Sequence, residues 1–194
     1  MAGPVVMATG HRDTPEAVLG ELERVLARLE PSVAISGGAA GADRLFAQAA
    51  VTVGVPLHLM LPNRWYRTYY PGAVPDRIVD AAAQVTFVVD RPADVDNMRY
   101  LWDKEKWWKD NYTRNEAMVV ASELTVVVSP HHPNRLLGYV RSGTAGTVRD
   151  VLRQRGERHR VLWVPSDGTA AELTRWVPLR VQYAVGDWSD FATG

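Results

Sequence analysis

Apolar residues in this chain gather in short runs of strand length, separated by stretches in which they recur at helical spacing. The runs are Pro4–Ala8, Ser32–Ile35, Pro56–Leu61, Val85–Val89, Leu124–Val128 and Arg160–Val164. Between the first two, Val18, Leu22, Val25, Leu26 and Leu29 fall on one helical face, with Glu21, Glu23, Arg24 and Arg28 on the other. That pattern predicts a helix over Ala17–Leu29, and Thr14-Pro15-Glu16 before it reads as an N-cap with proline at the first helical position. Further helices are predicted through Leu45, Phe46 and Ala49, over Pro75–Ala82, and from about Thr147 to Arg155. Continuous apolar strands alternating with helices are what a parallel sheet covered on both faces requires. The expected fold is therefore α/β, a Rossmann-like three-layer sandwich with a mostly parallel sheet of about six strands. Residues 1–165 form the expected domain. The tail, 166–194, with Trp176, Tyr183, Trp188 and Phe191, lacks clear periodicity and is expected to pack on the domain or on an oligomer interface.

In such sheets ligands bind beyond the carboxyl ends of the strands. Thr9-Gly10-His11-Arg12, Ser36–Arg44, Pro62-Asn63 and Ser142–Thr147 all follow a strand or open a helix, so they are expected to meet along one rim. Ser36-Gly37-Gly38-Ala39-Ala40-Gly41-Ala42-Asp43 is the most informative of them. Its small residues allow a sharp turn and close approach of backbone to a ligand, and its N–H groups and the following helix dipole favour a phosphate. The spacing is neither that of the dinucleotide fingerprint nor that of the Walker loop, whose lysine is missing. Asp43 can favour the helix dipole or accept a ribose hydroxyl. Arg12 can pair with a phosphate or with a surface carboxylate. His11 can donate to the ligand or be structural. Ser142-Gly143-Thr144-Ala145-Gly146-Thr147 supplies a second glycine- and threonine-rich helix start, hence a second anion nest.

Composition narrows the function classes. Lys+Arg 22 balance Asp+Glu 22, which weakens a reading as a dedicated duplex-binding protein. The absence of cysteine removes disulfides, thiolate metal sites and cysteine nucleophiles. No segment approaches the apolar length of a membrane span, and the first ten residues have no signal-peptide character, so a cytoplasmic protein is expected. His131-His132 is expected to serve a loop rather than a metal, and no Ser-His-Asp set or nucleophile elbow is visible.

Thr9-Gly10-His11-Arg12 together with Ser36–Asp43 resembles the SLOG superfamily of Rossmann-like nucleotide-binding domains, and within it the YpsA-like branch. The superfamily also includes the DNA-processing protein A family and the cytokinin-activating LOG phosphoribohydrolases. The resemblance covers roughly residues 4–165. It implies a nucleotide or ribosyl-phosphate ligand held by Thr9, Gly10, His11, Arg12, Ser36, Gly37, Gly38, Ala39, Gly41, Asp43, Asn63, Asn115, Gly143, Thr144, Gly146 and Thr147, with no cofactor or metal required. Aligned on Gly146-Thr147, the LOG motif Pro-Gly-Gly-x-Gly-Thr-x-x-Glu places Asp150 at the glutamate, and Tyr112–Met118 places Arg114 at the LOG arginine. The resemblance thus implies that Arg114 and Asp150 assist cleavage of an N-glycosidic bond, the alternative being a helix-surface pair. Aspartate is one methylene shorter than glutamate, and a displacement of about 1 Å costs on the order of 100-fold in rate.

Two aromatic stretches, Asn63–Pro71 and Met98–Lys109, interleave rings with Arg and Lys. Part of each is expected to roof the pocket and part to mediate self-association, most simply as a dimer. The functions left standing are a nucleotide-binding or sensing module, a phosphoribohydrolase acting on a nucleoside monophosphate, and a protein associated with single-stranded DNA.

Overall fold

The apolar runs become the strands of one seven-stranded sheet in the order β4-β3-β2-β1-β5-β6-β7. The computed structural model describes residues 2–70, 72–90, 104–138, 143–156, 159–167 and 174–179. Met98–Asp103, Ser142, Tyr183, Trp188 and Phe191, singled out in the sequence, lie outside the described residues. The strands are β1 (Val5–Gly10), β2 (Val33–Ser36), β3 (Leu57–Leu61), β4 (Gln84–Phe87), β5 (Leu124–Val128), β6 (Arg160–Val164) and β7 (Arg175–Val177). The first six are parallel, and β7 joins β6 antiparallel, Leu162 opposite Trp176. The seventh strand comes from the segment that had no periodicity in the sequence.

Period-two alternation sends successive strand residues to opposite faces. Val6 and Ala8 join Ala34, Leu59 and Val126 under α1 (Leu19–Leu29) and α2 (Ala42–Thr52). Met7, Ile35 and Val127 face the other way, against α5 (Lys104–Ala121) and α7 (Gly143–Arg155), which contribute Met118, Val119, Ala145, Val148 and Val151. Short helices α3 (Tyr66–Tyr69), α4 (Asp76–Ala81) and α6 (Pro133–Leu136) fill the connections. The three-layer α/β architecture is as expected.

Some local expectations are corrected. Thr9 and Gly10 are not loop residues: they extend β1 and pair with Val127 and Val128. Thr14 does not cap a helix, because its hydroxyl donates to the His11 carbonyl at 2.7 Å. A 3-10 turn over Glu16–Val18 precedes α1. The last long helix begins at Gly143 rather than Thr147. The 18-residue α5, with the second aromatic stretch in its first turns, was not foreseen as a helix. Among the described residues no helix is long and apolar enough to cross a membrane.

Candidate functional site

The strand order runs outward from β1 in both directions, β2 to one side and β5 to the other. The connections leave the sheet in opposite senses there, which opens a crevice above the carboxyl end of β1. A cavity of about 450 Å³ occupies that place. Its wall is Thr9–Asp13 from the end of β1, Ala39 and Asp43 at the start of α2, Trp108, Asn111, Tyr112, Arg114 and Asn115 of α5, and Gly143 and Thr144 at the start of α7.

A buried ion pair closes one side. Arg114 Nη1 lies 3.6 Å from Asp43 Oδ2, and both side chains are nearly inaccessible. The same Nη1 donates to the Gly37 carbonyl, and Nη2 donates to Asn111 Oδ1 at 3.3 Å. Burial pushes the Asp43 carboxyl above its ordinary range, with Arg114 opposing. Tyr66, buried beside the pair, has its phenol pushed up to about 12 by desolvation. Arg114 and His11 both line the cavity, and Arg114 Nε and His11 Nε2 are buried without a hydrogen-bond partner. A buried polar atom left without a partner costs about 1–3 kcal/mol.

The glycine loop is arranged around this pair. A Cβ on Gly37 would land on the Arg114 guanidinium, and one on Gly41 would meet the carbonyls of His11 and Arg12. Gly41 also has φ +69°, a left-handed conformation that disfavours any side chain. A Cβ on Gly38 would stand 2.6 Å from the Leu61 side chain and 3.3 Å from that of Val74. Ser36 Oγ donates to the Asp43 carbonyl and accepts from Gly38 N. The space the sequence reserves for a ligand at Gly37, Gly38 and Gly41 is thus filled by protein, and of this loop Ala39 and Asp43 reach the cavity. Asp43 itself sits in the first turn of α2 and accepts a long 3.5 Å bond from Ala39 N. The anion at that helix start is the chain's own carboxylate.

The second nest is different. Among the described residues nothing lies within 4 Å of where a Cβ on Gly143 would stand, and Gly143 lines the cavity. The Thr144 hydroxyl donates to the Gly10 carbonyl at 2.8 Å, and that of Thr147 to the Gly143 carbonyl at 3.0 Å. These bonds fix the helix start against β1, and they commit both hydroxyl protons to protein. Gly146 packs against the Tyr112 ring, 3.2 Å from its would-be Cβ.

A row of rings borders the site. Tyr66 stacks on Tyr70 at 5.1 Å, Tyr70 meets Trp107 at 6.1 Å, Trp107 meets Trp108 edge-on at 5.0 Å, and Trp108 meets Tyr112 at 6.1 Å. Trp108 and Tyr112 line the cavity and remain 43% and 39% exposed. The Arg12 guanidinium lies over Tyr70 and Trp107, 4.7 and 5.2 Å from the ring centres.

Other expected site residues stand apart. Asn63 is buried outside the cavity wall; its Nδ2 donates to Asp110 Oδ2 at 2.9 Å and its Oδ1 accepts from Trp65 N, tying the end of β3 to α5. Arg114 and Asp150 are not brought together as a pair. Arg114 turns inward to Asp43, whereas Asp150 accepts from Arg153 at 2.9 Å, and Arg153 also binds Glu116. Positions 114 and 116 are about 200° apart around a helix, which accounts for the separation. Burial raises the Asp150 carboxyl, with Arg153 opposing. His132 caps α6 by accepting from Asn134 N at 3.3 Å, and burial takes its imidazole down to about 4. Asp43 as the carboxylate partner of Arg114, and Asn111 beside it, were missed as a unit. Residues 71 positions apart carry no local signal of contact.

No protein-family model matches this chain, and no curated protein is similar to it in sequence. Three solved structures share its architecture. DNA processing protein A of Streptococcus pneumoniae superposes with a TM-score of 0.59 at 18% identity, over 88% of this chain and 54% of that one; this chain spans about half its length. DNA processing protein A of Helicobacter pylori, described with a single-stranded DNA binding mode, gives 0.53 at 17%, over 87% of this chain and 70% of that one. The molybdenum cofactor binding protein of Rippkaea orientalis gives 0.53 at 17%, over 89% and 83%. The chain has the Rossmann-like α/β fold of these structures, the architecture expected from its sequence.

Proposed function

We propose that this protein binds a phosphorylated nucleoside or a related ribosyl phosphate in the cavity above β1, as a binding or sensing module of the cytosol. The observation that carries the reading is the cavity wall in which Gly143, at the start of α7 and with no described atom within 4 Å of where its Cβ would stand, meets Arg12 and His11. A helix start without a side chain over it suits a phosphate. The α2 start holds Asp43, so a second phosphate there would meet a carboxylate, and this end suits the ribose or a hydrogen-bonding edge of the base. Trp108 and Tyr112 offer ring surface to the base. Thr9, Gly10, Asn115 and Thr144 complete the contact surface, while Ser36, Gly37, Gly38, Gly41, Asn63, Gly146 and Thr147 support it from behind.

Calorimetric titration with purine and pyrimidine monophosphates, ribose 5-phosphate, molybdenum cofactor and the matching nucleosides tests this. The monophosphate is expected to bind at least about tenfold tighter than its nucleoside, the discrimination a charge-assisted phosphate contact provides. Gly143→Val is expected to erase that margin with the fold intact. Equal affinity for nucleoside and monophosphate overturns the reading. Free base appearing in the same incubations would make the protein a hydrolase, with Asp43 rather than Asp150 as the carboxylate at hand.

A second reading rests on the exposed rings. Trp108 and Tyr112 keep part of their surface exposed beyond the cavity, and Val120 on the same helix is 64% exposed. They suit a dimer contact or stacking of single-stranded DNA. A mass near 43 kDa by light scattering, twice the 21.5 kDa chain, supports the former. Salt-dependent binding of an oligonucleotide supports the latter.

A further inference from the structure

We infer that Tyr70 and Trp107 are positioning residues for Arg12: they hold its guanidinium over the cavity and thereby set the preference for phosphorylated ligands. The inference rests on the phosphate reading of the site. Arg12 sits on an exposed stretch after β1, where a long side chain samples many rotamers and loses them on gripping an anion. Among the described residues no ion pair of Arg12 within 4.0 Å is seen; Asp43, itself paired with Arg114, acts on it electrostatically from farther away. The Arg12 guanidinium is instead seated on two ring faces from two different elements, Tyr70 after α3 and Trp107 in α5. Ring faces attract a cation without neutralising it, whereas a carboxylate partner would cancel the charge that a phosphate needs.

The seat is itself immobilised. Tyr70 is backed by the buried Tyr66, and Trp107 is braced edge-on by Trp108. Tyr66 stacked on Tyr70 and Arg12 over the same ring leave Tyr70 little surface for a base. These rings therefore serve the anionic end of the ligand through Arg12. The stacking role falls to Trp108 and Tyr112, which face the cavity.

Nitrogen-15 spectra of the full chain test the seat without any ligand. The Arg12 Hε resonance is expected to be displaced by ring currents and to move part of the way back to an ordinary position in Trp107→Leu, where the Tyr70 ring remains; an ordinary position in the wild-type protein overturns the inference. Binding tests the consequence, with adenosine monophosphate and adenosine as the paired probes, or whichever pair the titrations above select. Arg12→Ala is expected to weaken monophosphate binding and leave nucleoside binding unchanged. Trp107→Leu is expected to weaken monophosphate binding by about three- to tenfold, the range one cation–π contact supports. Trp107→Phe, which keeps a ring face, should restore most of it. In an Arg12→Ala background Trp107→Leu should add nothing. Equal losses for nucleoside and monophosphate, or additive losses in the double variant, assign Trp107 to stacking or folding and overturn the proposal. A wild-type protein that binds no phosphorylated probe, with the Arg12 resonance displaced, overturns the phosphate reading and the selectivity drawn from it while leaving the seat established.

Discussion

Gly37–Gly41 and Gly143–Gly146 read almost alike in the sequence, yet the room left by their missing side chains is used in opposite ways. In the first loop it is occupied by the Arg114 guanidinium, the Leu61 and Val74 side chains, and the carbonyls of His11 and Arg12. In the second, no described atom lies within 4 Å of a Cβ on Gly143, while Gly146 takes up a tyrosine ring. Glycine content marks a close approach without saying what approaches. The difference lies in chemistry elsewhere in the chain: the first loop is followed by Asp43, whose carboxylate occupies the helix start and draws in Arg114 from α5. No acidic residue falls in the first turn of α7.

The largest effect separating the two loops is expected from Arg114→Met. It strands Asp43 without its cation, and breaking a buried pair from one side costs about 3–5 kcal/mol. Urea unfolding measures this, and adding Asp43→Asn should recover a large share. A loss below about 1 kcal/mol would show that the first loop is not organised around the pair. Gly41→Ala comes next, at about 1–3 kcal/mol for a side chain in the left-handed region, with the clash against two carbonyls adding to it.

The loop after β5 is a control that belongs to neither nest. His132 is held neutral by burial down to about pH 4 in the folded chain, against 6.5 for a free imidazole. Between those values the unfolded chain binds the extra proton, so stability falls as pH falls from about 6.5 towards 4. For a half-buried ring the amount is on the order of 1–2 kcal/mol after solvent screening. Thermal melts across that window should show a shallower slope in His132→Asn, and an unchanged slope would assign it to the other histidines lowered by burial, His58, His131 and His159. Gly143→Ala closes the series. With no described atom within 4 Å of its Cβ, it should move stability by less than about 0.5 kcal/mol, so that a loss of ligand affinity at unchanged stability reports the ligand.

The layers were legible because parallel strands buried on both faces leave unbroken apolar runs, as in Leu124–Val128, where every residue is buried. Helix α5 was not, because the face it buries is partly polar. Asp110, Asn111 and Arg114 precede Met118 and Val119 on its inward side, and a search for apolar periodicity passes over carboxylates and guanidinia. The helical spacing was present, written in residues that a site needs rather than in those a core needs. β7 was hidden for another reason: three residues make a strand only where β6 offers an edge to pair with. At the site, residues from both glycine-rich loops and from Thr9–Arg12 line one cavity, whereas Pro62 and Asn63 do not. The orientation of each glycine depends on residues far away, so it was beyond a reading of local pattern.

The placement of β1 at the centre of the sheet also fixes an order of events during folding. Its pairing with β2 joins residues about thirty apart, as between Val5 and Val33, whereas its pairing with β5 joins Val6 to Leu124. Contacts that close short loops form sooner than those that close long ones, so β1 to β4 with α1 and α2 can assemble as a unit before β5 and β6 dock on its open side. The cavity takes its wall from both sides of that seam. A ligand that bridges them has nothing to hold until docking is complete, and it stabilises the docked state alone. Such a ligand acts as a late clasp: it slows unfolding while leaving the folding rate nearly unchanged.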